Sequence, residues 1–195
     1  MMIKICGITR EEDAVASADA GATAIGFNFY RKSKRFIEPP QAADIGRDLN
    51  LLRVGVFVDE EPETVAEIAA IARLDVAQLH GGETADWNVE GLRLWKAFRI
   101  TPDWTPNVAA NFNVEAVLLD GPVPGSGTPF EWSRARELTQ RLVIAGGLDH
   151  TNVGEAIRIA QPWGVDACSK LESQPGVKDA EKLRLFVEAA RDRYL

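Results

Sequence analysis

Eight times along this chain an apolar run of four to seven residues is followed by a segment of helical periodicity. Strands buried on both faces of a parallel sheet read as near-continuous Val, Ile, Leu and Ala, and each must reach the next through a crossover connection. The strand-like runs are residues 2–7, 24–29, 52–58, 76–80, 92–98, 116–119, 142–145 and 164–169. Helices are predicted over 11–20, 40–50, 62–72, a short piece near 84–88, 103–111, 129–140, 152–160 and 178–195. Eight such units predict an α/β fold, a (βα)8 TIM barrel formed as a single compact domain over residues 1–195. That length is just under the usual lower bound of about 200 residues, so helices and loops must be close to minimal. A doubly wound open sheet is the alternative, but its first turn usually reads Gly-x-Gly-x-x-Gly, where this chain has Cys6-Gly7-Ile8-Thr9-Arg10.

Local chemistry supports several helix starts. Pro62 follows Asp59-Glu60-Glu61; a missing N–H costs nothing in the first turn, and acidic residues complement the helix dipole there. Thr84 and Thr151 are expected as N-caps. With 46% hydrophobic and 26% charged residues the chain can bury a full core. A net charge of −7 argues against a nucleic-acid partner, which calls for clustered Lys and Arg. The apolar runs fall far short of the roughly 20 residues that span a bilayer. Neither a membrane association nor a signal peptide is expected. Two cysteines, Cys6 and Cys168, are too few for a disulfide framework or a CxxC metal site, which points to the reducing cytoplasm. No metal-ligand cluster is visible.

In a TIM barrel the chemistry sits where strands end at the C-terminal face. Those ends bring up Cys6, Arg35, His80, Asp120, the pair Gly146-Gly147, and Cys168-Ser169-Lys170. Taken singly each has a plain reading. A free cysteine is commonly a small buried hydrophobe, a rim carboxylate often orders a loop, and a rim histidine often bonds a carbonyl. Gly146-Gly147 before a helix can expose backbone N–H groups to an anion. Together with Ser169-Lys170 they point to a small phosphorylated substrate. Lys4 shares the parity of Cys6 and faces the barrel interior, and Asp166 has inward parity on the neighbouring strand, so a Lys4–Asp166 pair is expected. Cys6 and Cys168 should lie close, as two reduced thiols or, on oxidation, as a disulfide. The Gly/Pro-rich stretch 121–129 is expected to close over the substrate.

The segments Lys4-Ile5-Cys6-Gly7-Ile8-Thr9, Gly26-Phe27-Asn28-Phe29-Tyr30 with Lys32, Ser33 and Arg35, Val54-Gly55-Val56-Phe57-Val58, Gln78-Leu79-His80-Gly81, Leu118-Leu119-Asp120, Gly125-Ser126-Gly127, Ala145-Gly146-Gly147-Leu148 and Pro175-Gly176-Val177-Lys178-Asp179 run in order through nearly the whole chain. In this they resemble the phosphoribosylanthranilate isomerase family of tryptophan biosynthesis. The resemblance implies a cofactor-independent Amadori rearrangement, with Cys6 as general base and Asp120 as general acid. It implies substrate binding by Arg35 at the anthranilate carboxylate, by His80, and by Gly146, Gly147, Ser169 and Lys170 toward the phosphate. Such barrels occur as monomers or homodimers.

The chain departs from the family where Cys168-Ser169-Lys170-Leu171-Glu172 stands for the usual Ser-Ser-Gly-Val-Glu. Lys170 in place of a glycine is expected to strain or alter the phosphate loop. Two other readings remain at this point. One is a related or dual-substrate sugar-phosphate isomerase of histidine biosynthesis, which would carry an acid where Cys6 stands. The other is a catalytically impaired barrel kept as a ligand-binding or scaffold protein.

Overall fold

A computed structural model describes residues 1–121 and 132–192. Eight parallel strands close into a barrel in sequence order: β1 (Met2–Cys6), β2 (Ala24–Asn28), β3 (Leu52–Phe57), β4 (Val76–Leu79), β5 (Arg93–Arg99), β6 (Ala116–Asp120), β7 (Arg141–Ile144) and β8 (Gly164–Ala167). The barrel is closed by β8 against β1, with Lys4 opposite Asp166 and Ile5 opposite Ala167. The predicted TIM barrel is therefore the observed fold, and all eight strand-like runs contribute a strand.

Side-chain parity separates two cores. Met2, Ala24, Val54, Val76, Trp95, Leu118 and Val143 fill the barrel. The opposite faces of the same strands, including Ile3, Ile5, Ile25, Phe27 and Leu119, pack outward against the helices. Those helices are α1 (Glu11–Ala20), α2 (Pro39–Asp44), α3 (Pro62–Ala72), α4 (Pro106–Ala110), α5 (Val153–Ala160) and α6 (Ala180–Arg191). α6 buries Leu183, Phe186, Val187 and Ala190 on one stripe, and Asp179 caps it by accepting from the N–H groups of Glu181 and Lys182.

The connections depart from expectation more than the strands do. The helix predicted over 40–50 stops at Asp44, and Gly46 takes a left-handed φ of 64° with its N–H held by Glu11 Oε2. Residues 84–88 form a turn, closed by Trp87 N–H on Thr84 O, so Thr84 caps no helix; its hydroxyl bonds Asp86 instead. Helix 103–111 is reduced to α4, and within 129–140 the described residues form a 3-10 turn at Trp132–Glu137. The expected N-cap Thr151 gives way to Asn152, because the Thr151 N–H and hydroxyl are both taken by Asp149. A short antiparallel hairpin, β9 (Glu172–Gln174) with β10 (Val177–Lys178), follows β8 and was not anticipated. Among the described residues no helix is long and apolar enough to cross a membrane.

The barrel interior holds a buried ammonium. Lys4 is fully buried, and its ammonium lies 3.0 Å from Asp166 Oδ1. Gly26 on β2 makes room for it: a Cβ there would stand 2.9 Å from the Cys6 sulfur and 3.0 Å from Lys4 Cε. Burial pushes Asp166 up to about 6 even though Lys4 draws it down. Burial opposes the charge on Lys4 as well, but Asp166 and Cys6 outweigh it and hold the ammonium above its ordinary range. Breaking one partner of such a pair leaves an uncompensated charge. Asp166→Asn is therefore expected to lower unfolding free energy by about 3–5 kcal/mol in a denaturant titration. The double variant Lys4→Met with Asp166→Leu should recover most of that loss; equal destabilisation of the two would show that packing, not the unpaired charge, sets the cost.

Candidate active site

A cavity of about 450 Å3 opens at the C-terminal face, lined from all eight strands or the loops after them. All eight residues singled out from the sequence line it: Cys6, Arg35, His80, Asp120, Gly146, Gly147, Ser169 and Lys170. Its position follows from the closure of the sheet, because the last residue of each strand points across one mouth.

Cys6 ends β1 two residues beyond Lys4 and is 9% exposed. Cys168, the first residue after β8, is hydrogen-bonded with it, and both thiols are free. That hydrogen bond, with the positive charges of Lys4 and Lys178, outweighs burial and brings the Cys6 thiol well below its usual range. The same bond and burial push Cys168 well above it.

A second charged layer stands behind the thiols. Arg35 grips Glu172 with two donors, Nε at 2.7 Å and Nη2 at 2.6 Å. Glu172 also accepts from Lys178 Nζ at 3.0 Å, and Lys178 reaches the Cys168 sulfur at 3.8 Å. Burial would raise the Glu172 carboxyl, but Arg35 and Lys178 hold it below its ordinary value. The Glu172 hydrogen bond and charge in turn hold Arg35 above its own, against burial. Among the described residues Arg35 Nη1 has no acceptor, which leaves one edge of the fork for a ligand. Glu172 and Lys178 were not read as site residues, because their role depends on the β9–β10 hairpin folding back under the loop after β8.

Asp120 ends β6, 8% exposed, with Oδ1 accepting the Gly121 N–H at 2.8 Å and Oδ2 standing 3.4 Å from His80 Nε2. The turn that carries His80 is fixed from behind. Buried Lys96 on β5 donates to Gly81 O at 2.7 Å and to Glu83 Oε2 at 2.7 Å, and Glu83 accepts the N–H groups of Asp59 and Gly81. Two further cavity residues are given no role by the sequence, although Gln78 falls within one of the segments that carry the resemblance. Gln78 on β4 bonds His80 Nδ1, and Arg99 at the end of β5 has no ion-pair partner among the described residues.

After β7, Gly146 and Gly147 both take positive φ, 81° and 69°. At Gly146 a Cβ would stand 2.4 Å from the Gly121 nitrogen and 2.7 Å from Asp120 Oδ1, so only glycine fits between the β6 and β7 loops. Ser169 and Lys170 sit in a 3-10 turn, Ser169–Leu171, on the same rim. Lys170 is not among the residues with positive φ, so the strain expected from its replacing a glycine is absent. The stretch 122–129, expected to close over the substrate, lies outside the described residues. Among the described residues no group of three or more His, Cys, Asp and Glu could hold a metal ion.

Fold and cavity define a TIM-barrel enzyme site with one rim of glycines and a cation suited to an anion, and a thiol held below its usual range in the same mouth as a carboxyl group. Residues 3–189 match the family described as N-(5'phosphoribosyl)anthranilate (PRA) isomerase. The chain belongs to that family. It is 50% identical to the N-(5'-phosphoribosyl)anthranilate isomerase of Solibacter usitatus, over 98% of both chains. Among solved structures it superposes on phosphoribosyl anthranilate isomerase from Thermus thermophilus with a TM-score of 0.92 at 40% identity, covering 98% of this chain and 99% of that one. It also resembles a phosphoribosyl anthranilate isomerase solved in complex with reduced 1-(o-carboxyphenylamino)-1-deoxyribulose 5-phosphate, with TM-score 0.86, 36% identity and coverage of 98% and 99%.

The sign of the Cys6 shift yields a direct test. Because its thiol is lowered, the thiolate is favoured over a wider pH range than in a free cysteine and is lost only as pH falls through the lowered value. Alkylation of Cys6 by iodoacetamide should therefore hold a plateau through neutrality and decline only on the acid side. In Lys4→Met the decline should move toward higher pH; an unmoved profile would remove Lys4 as a cause.

Proposed function

We propose that this chain catalyses the Amadori rearrangement of N-(5'-phosphoribosyl)anthranilate to 1-(2-carboxyphenylamino)-1-deoxyribulose 5-phosphate in tryptophan biosynthesis, without a cofactor. The observation that carries this reading is the lowered Cys6 thiol, next to buried Lys4, opening into the same mouth as Asp120 in a member of this family.

The reaction needs only proton movements. An acid protonates the furanose ring oxygen and the C1–O bond breaks, while the nitrogen lone pair forms the C1=N bond of an open-chain iminium. A base then takes the C2 proton; those electrons form C1=C2, and the nitrogen recovers its lone pair. Protonation at C1 and loss of the C2 hydroxyl proton complete the aminoketose. Asp120 is the acid and Cys6 the base, three strands apart around the ring and lining the same cavity. A thiolate already formed needs no preliminary deprotonation.

The phosphate is held at Gly146, Gly147, Ser169 and Lys170, where positive-φ glycines turn backbone N–H groups outward and Lys170 adds a charge. Arg35 meets the anthranilate carboxylate through the edge that Glu172 leaves free, so Glu172 fixes the plane of the guanidinium before the ligand arrives. His80 borders the sugar beside Asp120.

Following loss of fluorescence of freshly generated phosphoribosylanthranilate measures the activity. Cys6→Ser and Asp120→Asn should each lower kcat by about a hundredfold or more, with KM changed little. Near-normal turnover in either variant would remove that residue from the mechanism. Arg35→Ala should weaken binding of the reduced product analogue while leaving inorganic phosphate affinity unchanged. An equal loss for both ligands would place Arg35 at the phosphate or in the fold alone.

A further inference from the structure

Two guanidinium groups line the mouth, and the structure holds them in different ways. Arg35 commits Nε and Nη2 to Glu172, at 2.7 and 2.6 Å, and lies over the loop after β1, where a Cβ on Gly7 would stand 2.6 Å from its Cδ. Its charge is thus answered by a carboxylate, and it is drawn toward the β8 loop that carries Ser169 and Lys170. Arg99 is held by nothing of the kind. Trp95 and Ala97 of β5 face the barrel interior, so Arg99, two residues further on, shares their side of the sheet and lines the mouth. It is exposed and, among the described residues, has no hydrogen-bond or ion-pair partner.

On an ordinary surface an exposed arginine needs no partner, because water solvates it. Arg99 differs in where it stands. The acids near it are engaged elsewhere: Asp120, its register partner on β6, accepts the Gly121 N–H and faces His80, Glu83 pairs with Lys96, and Asp59 accepts the Gly82 N–H. The rim of glycines and lysine that suits a phosphate lies after β7 and β8, so the far end of a ligand lying across the mouth falls between β2 and β5. Val56 and Val58, on β3 and just after it, offer an apolar wall for a ring at that end. Arg35 flanks this wall from the β2 loop and Arg99 from β5.

We propose that Arg99 is a specificity-determining residue that takes one oxygen of the anthranilate carboxylate, while Arg35 takes the other through its free edge. The inference rests on the substrate named in the proposed function and deepens it. A guanidinium suits the task, being planar, always charged and provided with donors at fixed angles. With Glu172 answering Arg35, Arg99 supplies the unanswered positive charge that the carboxylate meets. A ligand that lacks the carboxylate gains nothing from it.

Equilibrium binding separates this role from a general effect on the site. The probes are reduced 1-(2-carboxyphenylamino)-1-deoxyribulose 5-phosphate, its counterpart without the ring carboxylate, and inorganic phosphate, each measured by isothermal titration calorimetry. Arg99→Gln should weaken the first about tenfold or more, as the loss of a hydrogen bond to a charged group does, and leave the other two within about twofold of wild type. Arg99→Lys, which keeps the charge without the fork, should fall between wild type and Arg99→Gln. In turnover the loss in Arg99→Gln should appear in KM, with kcat within about twofold, because the carboxylate takes no part in the proton movements. Equal weakening of both analogues would overturn the proposal, and so would an unchanged affinity for the carboxylated one. A wild-type chain that fails to rearrange phosphoribosylanthranilate would instead defeat the proposed function, while the calorimetric difference between the two analogues would still decide the role of Arg99.

Discussion

A single buried cation organises this molecule. Lys4 sits inside the barrel on β1 with no exposure, where an unpaired ammonium could not be tolerated, and Asp166 answers it across the seam that closes β8 on β1. The pair does two things. It pins the register of the last sheet contact, since a shift of one residue would turn Asp166 outward and leave Lys4 without a counter-charge. It also leaves a positive charge just below the mouth, where the next inward residue of β1 is Cys6. Behind the hydrogen bond from Cys168, the charge that the fold already has to accommodate helps to lower the Cys6 thiol.

Two further layers extend that logic to the rim. Cys168 offers its proton to Cys6 and is itself backed by Lys178, Glu172 and Arg35, so an alternating row of charges runs from the thiols to the loop after β2. On the other side Lys96 and Glu83 fix the turn behind His80, and Gly146 lets the β7 loop come against Asp120 and Gly121. Behind these groups stand Lys4, Glu172, Lys178, Lys96 and Glu83, none of which lines the cavity, which is how a site built from loops keeps the geometry of the strands beneath it.

The sequence carried the barrel because burial on both faces leaves a mark in every strand. It carried Lys4 opposite Asp166 because strand parity is strict and closure fixes which strands meet. It carried the eight cavity residues because chemistry in this fold lies at strand ends. The connections were less legible. The stretch 40–50 has helical composition throughout, yet it ends at Asp44 because Gly46 turns left-handed to pack its N–H on Glu11. Glu172 was visible only as part of a departing segment. Its partnership with Arg35 spans 137 positions and depends on a hairpin whose strands are three and two residues long, too short for any periodicity.

The central claim is that one charge-organised mouth directs a carboxyl group to the ring oxygen of the sugar and a thiolate to its C2. A crystal structure of this chain with reduced 1-(2-carboxyphenylamino)-1-deoxyribulose 5-phosphate tests it most directly. The account predicts phosphate oxygens on the backbone N–H groups of Gly146 and Gly147, the C2 carbon about 3–3.5 Å from the Cys6 sulfur, and the oxygen on C4 within about 3.2 Å of Asp120. A ligand bound with its phosphate elsewhere, or with C2 facing Asp120 and the C4 oxygen facing Cys6, would contradict it.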